Sequence, residues 1–152
     1  KYEFVIAGVK NVDKSLYKIA QEMSVVVVYN QTYDLLTNSK AAIVTSGTAS
    51  LECALFKVPQ IVCYKTSFIS YFIGKTFVKI DFISLVNIIL KQKVVKELIQ
   101  NQLTEKELIN ELNEIIDGQK RLEMLKHYSK IYSMLSIDKT SNNIANSIIK
   151  SS

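Results

Sequence analysis

The stretch Ala41-Ala42-Ile43-Val44-Thr45-Ser46-Gly47-Thr48-Ala49-Ser50-Leu51-Glu52 constrains the fold more than any other. A short apolar run with β-branched residues gives way to three small residues, which pass directly into good helix formers. That order predicts a buried strand over 41–45, a turn made at Gly47 without a Cβ clash, and a helix over 49–56. The junction points backbone N–H groups and the positive end of a helix dipole beyond the strand, which suits a phosphate. An ordinary strand-to-helix turn with a Ser or Thr cap has the same local pattern. The rest of the chain has to separate the two.

Elsewhere the apolar period alternates between two and 3.6 residues. Strands are expected at 4–9, at 25–29 (four valines, buried on both faces) and at 60–65. Asn11 or Asp13 caps a helix over 14–23 whose inner face is Leu16, Ile19, Ala20 and Met23, and a short helix follows at 33–39. Pro59 ends the helix after Gly47 through the Lys57-Val58-Pro59 turn. Beyond Val78 the chain reads as mostly helical, strongest at 105–116 and 121–134, with Thr104 and Glu107 forming a capping box. Successive βα units predict an α/β fold with a doubly wound, Rossmann-like parallel sheet over residues 1–90 and a helical tail over 91–152. Ligands of such sheets bind beyond the carboxyl ends of the strands. Ser46, Gly47 and Thr48 fall at that edge, as do Tyr64, Lys65 and Thr66.

Composition narrows the function. The 152 residues suit one domain, and 4 Gly with 1 Pro leave little room for linkers. The net charge of +5 (19 basic, 14 acidic) favours anionic partners without choosing among nucleotide, lipid and nucleic acid. Cys53 and Cys63, both among apolar neighbours, read as buried free thiols in a reducing compartment. One histidine, His127, is too few for a histidine-based metal site, so no metal is expected. No apolar run approaches the ~20 residues of a membrane-spanning helix. Neither a GxxxxGK[ST] loop nor a GxGxxG fingerprint occurs, which argues against P-loop nucleotidases and typical dinucleotide dehydrogenases. The chain opens within a strand and has no secretory leader, so we expect it to be part of a longer protein.

Four blocks in order carry a family resemblance: Ser46-Gly47-Thr48-Ala49-Ser50-Leu51-Glu52, Pro59-Gln60-Ile61-Val62-Cys63-Tyr64-Lys65, Phe82-Ile83-Ser84-Leu85-Val86-Asn87 and Val94-Val95-Lys96-Glu97-Leu98-Ile99-Gln100. Over roughly residues 4–135 the chain resembles lipid-A-disaccharide synthases, inverting glycosyltransferases of the two-lobed GT-B fold from Gram-negative bacteria. The resemblance implies that residues 1–152 are the C-terminal, UDP-sugar-binding half. It implies a reaction joining UDP-2,3-diacylglucosamine to 2,3-diacylglucosamine 1-phosphate with release of UDP. It implies no metal or redox cofactor, and a peripheral position on the cytoplasmic face of the inner membrane. A homodimer is compatible with it.

The resemblance also implies site roles. Ser46, Gly47, Thr48 and Ala49 would offer N–H and hydroxyl donors to the donor diphosphate. Glu52, one helical turn beyond Thr48, would accept sugar or ribose hydroxyls, although a solvated helix glutamate reads the same way. Tyr64 lies beside Lys65, which matches a position often Arg and offers charge without a bidentate fork. Asn87, an amide in an apolar run, matches a functional Asn, the alternative being a structural turn. Gln100 matches a polar position at the end of a helix-like segment. Val86 replaces a frequent Pro. The family's Gly-Ser-Arg loop and proposed catalytic base belong to sequence before Lys1, so no catalytic residue is expected in this chain.

The segment Ser67–Lys79 mixes Phe68, Tyr71, Phe72 and Phe77 with Lys75 and Lys79. It reads as a buried amphipathic helix or as a contact with membrane and acyl chains. Two other functions stay in view: a non-catalytic nucleotide- or phosphate-binding module, and an enzyme like the UDP-N-acetylglucosamine 2-epimerases. The latter usually has a Gly-Gly turn and an active site lined by His and acidic residues, which this chain lacks.

Overall fold

A computed structural model describes residues 2–45, 47–65 and 82–135. The chain forms two compact units, Lys1–Ser39 and Lys40–Ser152. Among the described residues all strand pairs are parallel, and helices occupy the connections, so the chain is α/β as its alternating periods predict.

In the first unit β1 (Val5–Gly8) pairs with β2 (Val26–Tyr29), from Val5 opposite Val26 to Gly8 opposite Tyr29. A Cβ on Gly8 would sit 2.5 Å from the Tyr29 ring, so only glycine permits this packing. Between the strands run a 3-10 turn (Lys14–Tyr17) and α1 (Lys18–Glu22). Asp13 is the cap, its carboxylate accepting the Ser15 N–H at 2.8 Å, and that bond holds its pKa below the usual value. A short helix, α2 (Thr32–Asn38), closes the unit.

Two expectations fail here. Leu16, Ile19 and Met23 are 68–71% exposed rather than inward. The 3-10 turn, at about three residues per turn, shifts the helix phase and turns Tyr17 inward instead. Its ring meets Tyr29 edge-on at 5.9 Å, and its hydroxyl accepts the Val9 N–H at 2.9 Å. The valine strand is likewise not buried on both faces, since Val26 is exposed and, among the described residues, its sheet has two strands.

The second unit carries the sheet β3 (Ala42–Val44), β4 (Gln60–Tyr64) and β5 (Lys96–Ile99), with β4 central. Helix α3 (Thr48–Leu55) links β3 to β4. It ends where Lys57 turns left-handed (φ 57°) and the Val58 N–H returns to the Cys53 carbonyl at 2.8 Å, just before Pro59. Helix α4 (Leu85–Leu90) precedes β5. Helices α5 (Glu105–Ile116) and α6 (Gln119–Leu135) follow. Thr104 caps α5 by accepting the Glu107 N–H at 3.2 Å, as its capping box predicts. Strand β5 corrects the helix-like reading of 94–100, so the helical part of this unit's end begins at Glu105.

The core joins Ile61 and Val62 of β4, Leu98 of β5, Val86 of α4, Ile115 of α5 and Met124, Tyr128 and Ile131 of α6. Gln60, wholly buried at the start of β4, donates from Nε2 to the Ser50 carbonyl (2.8 Å) and the Tyr128 hydroxyl (3.0 Å). It thereby ties α3 and α6 to the central strand. Burial raises the Tyr128 pKa, so the phenol stays protonated at neutral pH.

Candidate functional site

Three parallel strands of the second unit end at one edge, because Val44 pairs with Val62 and Tyr64 with Ile99. Gly47, Thr48, Ala49, Tyr64, Lys65 and Gln100 immediately follow or close those strands, so the fold gathers them at this rim. Thr48 and Lys65 are exposed, while Gly47, Ala49, Tyr64 and Gln100 are half-buried. Gln100 has a left-handed backbone (φ 51°), which bends the chain away directly after β5. Glu52, half-buried, lies one helical turn into α3 from Thr48. Ser46 lies outside the described residues, as does the Ser67–Lys79 segment.

Gly47 is the N-cap of α3, and no side chain among the described residues caps that helix. Its backbone (φ 101°, ψ −151°) belongs almost exclusively to glycine. A Cβ there would meet nothing of the described residues within 4 Å, so among them dihedral strain rather than crowding demands glycine. Among the described residues, then, the turn combines an open space beside Gly47 with helix N–H groups that no side chain has claimed.

What holds this turn is a buried polar network. Ser50, wholly buried, donates its hydroxyl to the Gly47 carbonyl (2.9 Å) and accepts the Leu85 N–H (3.2 Å). Gly47 also forms an isolated parallel bridge with Ser84. Ser84 caps α4 by accepting the Asn87 N–H at 3.2 Å. Behind them Glu97 of β5 receives the Ile83 N–H (3.0 and 3.1 Å to its two oxygens), the Ser84 N–H (2.9 Å) and an Asn87 amide hydrogen (2.9 Å).

Asn87 completes the network instead of reaching the rim. It is fully buried; its Nδ2 donates to the Val95 carbonyl and to Glu97, both at 2.9 Å. Its Oδ1 accepts the Val94 N–H (2.8 Å) and the Val95 N–H (2.9 Å). Two donors and two acceptor sites are thus all spent within the chain. Asn87, in the first turn of α4, ties that helix to the residues leading into β5.

Ser50, Ser84 and Glu97 are the residues that reading for rim chemistry missed. The one signal for them was polarity inside apolar blocks, and only Asn87 drew attention on that ground. Cys53 is buried and Cys63 half-buried, and both are free thiols as expected. Burial, with a smaller contribution from the Glu52 charge, pushes the Cys53 thiol up to about 11, so it is no nucleophile at neutral pH. No group of three or more His, Cys, Asp or Glu side chains among the described residues is disposed to hold a metal ion.

These features define an α/β protein with parallel sheets and a glycine turn open beyond its strands, the edge at which ligands of such sheets bind. Comparison with known proteins makes the assignment specific. A sequence profile of the family described as lipid-A-disaccharide synthetase matches residues 5–151. The lipid-A-disaccharide synthase of Wigglesworthia glossinidia brevipalpis is 37% identical over 109 residues, covering 72% of this chain and 28% of the relative. That of Aquifex aeolicus is 50% identical over 74 residues, covering 49% and 21%. Lipid-A-disaccharide synthase 1 of Legionella pneumophila is 34% identical over 140 residues, covering 90% and 36%. This chain belongs to the lipid-A-disaccharide synthase family of glycosyltransferases. It spans roughly a third of the length of these relatives, 21–36% in the three cases.

Proposed function

We propose that this chain is the donor-binding part of an inverting glycosyltransferase. The reaction transfers 2,3-diacylglucosamine from UDP to 2,3-diacylglucosamine 1-phosphate and releases UDP. The observation that carries this reading is the α3 N-terminus at Gly47, which no described side chain caps or crowds, beyond a parallel sheet in a chain of this family. Charge grows on the diphosphate as the glycosidic bond to UDP breaks. The Ala49 N–H, whichever of the Gly47 and Thr48 N–H groups the bridge to Ser84 leaves free, the Thr48 hydroxyl and Ser46 oppose that charge and so lower the barrier. Lys65 adds a point charge at the same rim. Glu52 accepts hydroxyl hydrogens from the ribose or sugar, and Tyr64 and Gln100 supply the remaining polar contacts. Asn87 serves from behind, by fixing α4 and β5.

In this reading residues 1–152 form the C-terminal UDP-sugar-binding domain, and the base that activates the acceptor hydroxyl belongs to an N-terminal half. No described helix is long and apolar enough to cross a membrane. We place the protein peripherally on the cytoplasmic face of the inner membrane, where its acylated substrates lie, with the aromatic and basic residues of 67–79 as the contact. Calorimetric titration with UDP tests the donor role. Binding that is lost in Gly47→Val supports it, and equal affinity in that variant, still folded, removes it.

A further inference from the structure

Glu97 is a carboxylate turned into the protein from β5, next to the apolar Leu98 and Ile99, and only 8% of it is exposed. Among the described residues no ion pair compensates it. Its partners are instead the Ile83 and Ser84 N–H groups at the start of α4 and the amide of Asn87. A buried charge held by N–H groups alone is weak as a source of stability, because desolvation offsets most of the gain. It is strong as a source of geometry, since three donors aimed at two oxygens admit one arrangement.

That arrangement reaches the glycine turn by two links. Ser84, whose N–H Glu97 holds, bridges Gly47 directly. Leu85, the next residue, donates to the Ser50 hydroxyl that in turn donates to the Gly47 carbonyl. The 83–85 segment is thus clamped between Glu97 on one side and the Gly47 turn on the other. The start of α4 is filled from within by Glu97, Ser50 and Ser84, whereas α3 has no side-chain cap among the described residues.

We infer that Glu97 is a positioning residue for the diphosphate site. Its carboxylate sets segment 83–87, and through Ser84 and Ser50 that segment sets the backbone of Gly47. This inference rests on the donor-binding reading for its consequence, though the clamp itself is separately measurable.

The test uses the whole chain, isotopically labelled, with Glu97→Gln, Ser50→Ala and the double variant. Glutamine keeps the size but turns an N–H group toward donors. In Glu97→Gln, amide exchange at Ile83 and Ser84 should accelerate and the Gly47 amide resonance should shift, while Tyr128 and Ile131 of the core keep theirs. UDP affinity should fall roughly 3- to 30-fold. In the double variant the loss should be smaller than the product of the single losses, because both changes release the same segment. A merely structural Glu97 would lower the melting temperature and leave UDP affinity of the folded fraction intact, and that result overturns the inference. So does an unmoved Gly47 amide in Glu97→Gln. If the unaltered chain does not bind UDP, the donor-binding reading fails, and the Ile83, Ser84 and Gly47 amides still decide whether the clamp exists. Should Glu97→Gln not fold, Glu97→Asp decides. It keeps the charge and shortens the reach, so the Gly47 amide must shift, and an unshifted one overturns the inference.

Discussion

Replacing Asn87 with alanine gives the sharpest consequence of the buried network. The change removes four hydrogen bonds at 2.8–2.9 Å, one of them to a carboxylate. It takes the Asn87 partner from the buried Val95 N–H and carbonyl, leaves the Val94 N–H only its bond to the Gln92 carbonyl at 3.0 Å, and deprives Glu97 of one of its three donors. A bond to a charged group is worth about 1.5–3 kcal/mol and an orphaned buried group costs about 1–3 kcal/mol, with neighbours sharing part of the loss. The expected destabilisation is about 3–5 kcal/mol, a large part of the 5–15 kcal/mol that holds an ordinary domain. For a unit of this size that is a fall of roughly 15–30 °C in melting temperature. Differential scanning calorimetry reads it directly. Asn87→Asp supplies the control of sign, because it sets a second carboxyl against Glu97. The folded state then retains a proton that the unfolded chain gives up near its ordinary pKa of ~3.9. That variant should regain stability as pH falls toward 4 and lose it as pH rises. Melting of Asn87→Ala within 3 °C of the unaltered protein would refute the reasoning, and would favour the site role that the family resemblance implies for Asn87.

Three further outcomes are expected. Gly47→Ala should cost roughly 1–3 kcal/mol in chemical denaturation although its new methyl meets nothing, since the cost lies in the φ of 101°, and an unchanged midpoint would mean the turn adopts another backbone. His127, the sole histidine, should titrate below its ordinary 6.5 by proton NMR. Burial and then the Lys130 and Lys126 charges disfavour the cation, and Gln92 donates to Nδ1 at 2.7 Å, so stability is lost as pH falls below 6.5; a value above that would contradict the assignment. The Phe72→Glu, Lys75→Glu variant should float with anionic liposomes less than the unaltered protein, whose own binding should weaken in salt without vanishing; equal flotation removes 67–79 as the membrane contact.

The α/β class was legible because strand and helix periods differ and Gly47 and Pro59 punctuate them. The boundaries of α5 and the cap at Thr104 followed from short-range chemistry that a local window contains. Strand β5 escaped because Lys96 and Glu97 interrupt its apolar run. Glu97 faces inward only because N–H groups 13 and 14 residues earlier meet it there. The inner face of residues 14–23 was misjudged for a related reason. A 3-10 start rotates the helix, and the Tyr17–Tyr29 contact that fixes the rotation spans 12 residues. At the site, the rim positions followed from topology, while the role of Asn87 depended on bonds no spacing reveals.

The central claim is that the glycine turn of this chain receives the diphosphate of a UDP-sugar. Titrating the labelled chain with UDP while following its amide resonances tests that most directly, since the method registers even millimolar binding. The account predicts saturable shifts centred on Gly47, Thr48 and Ala49, extending to Lys65 and Gln100, with uridine alone moving the turn far less. Shifts confined to other parts of the chain, or none up to saturating UDP, would contradict it.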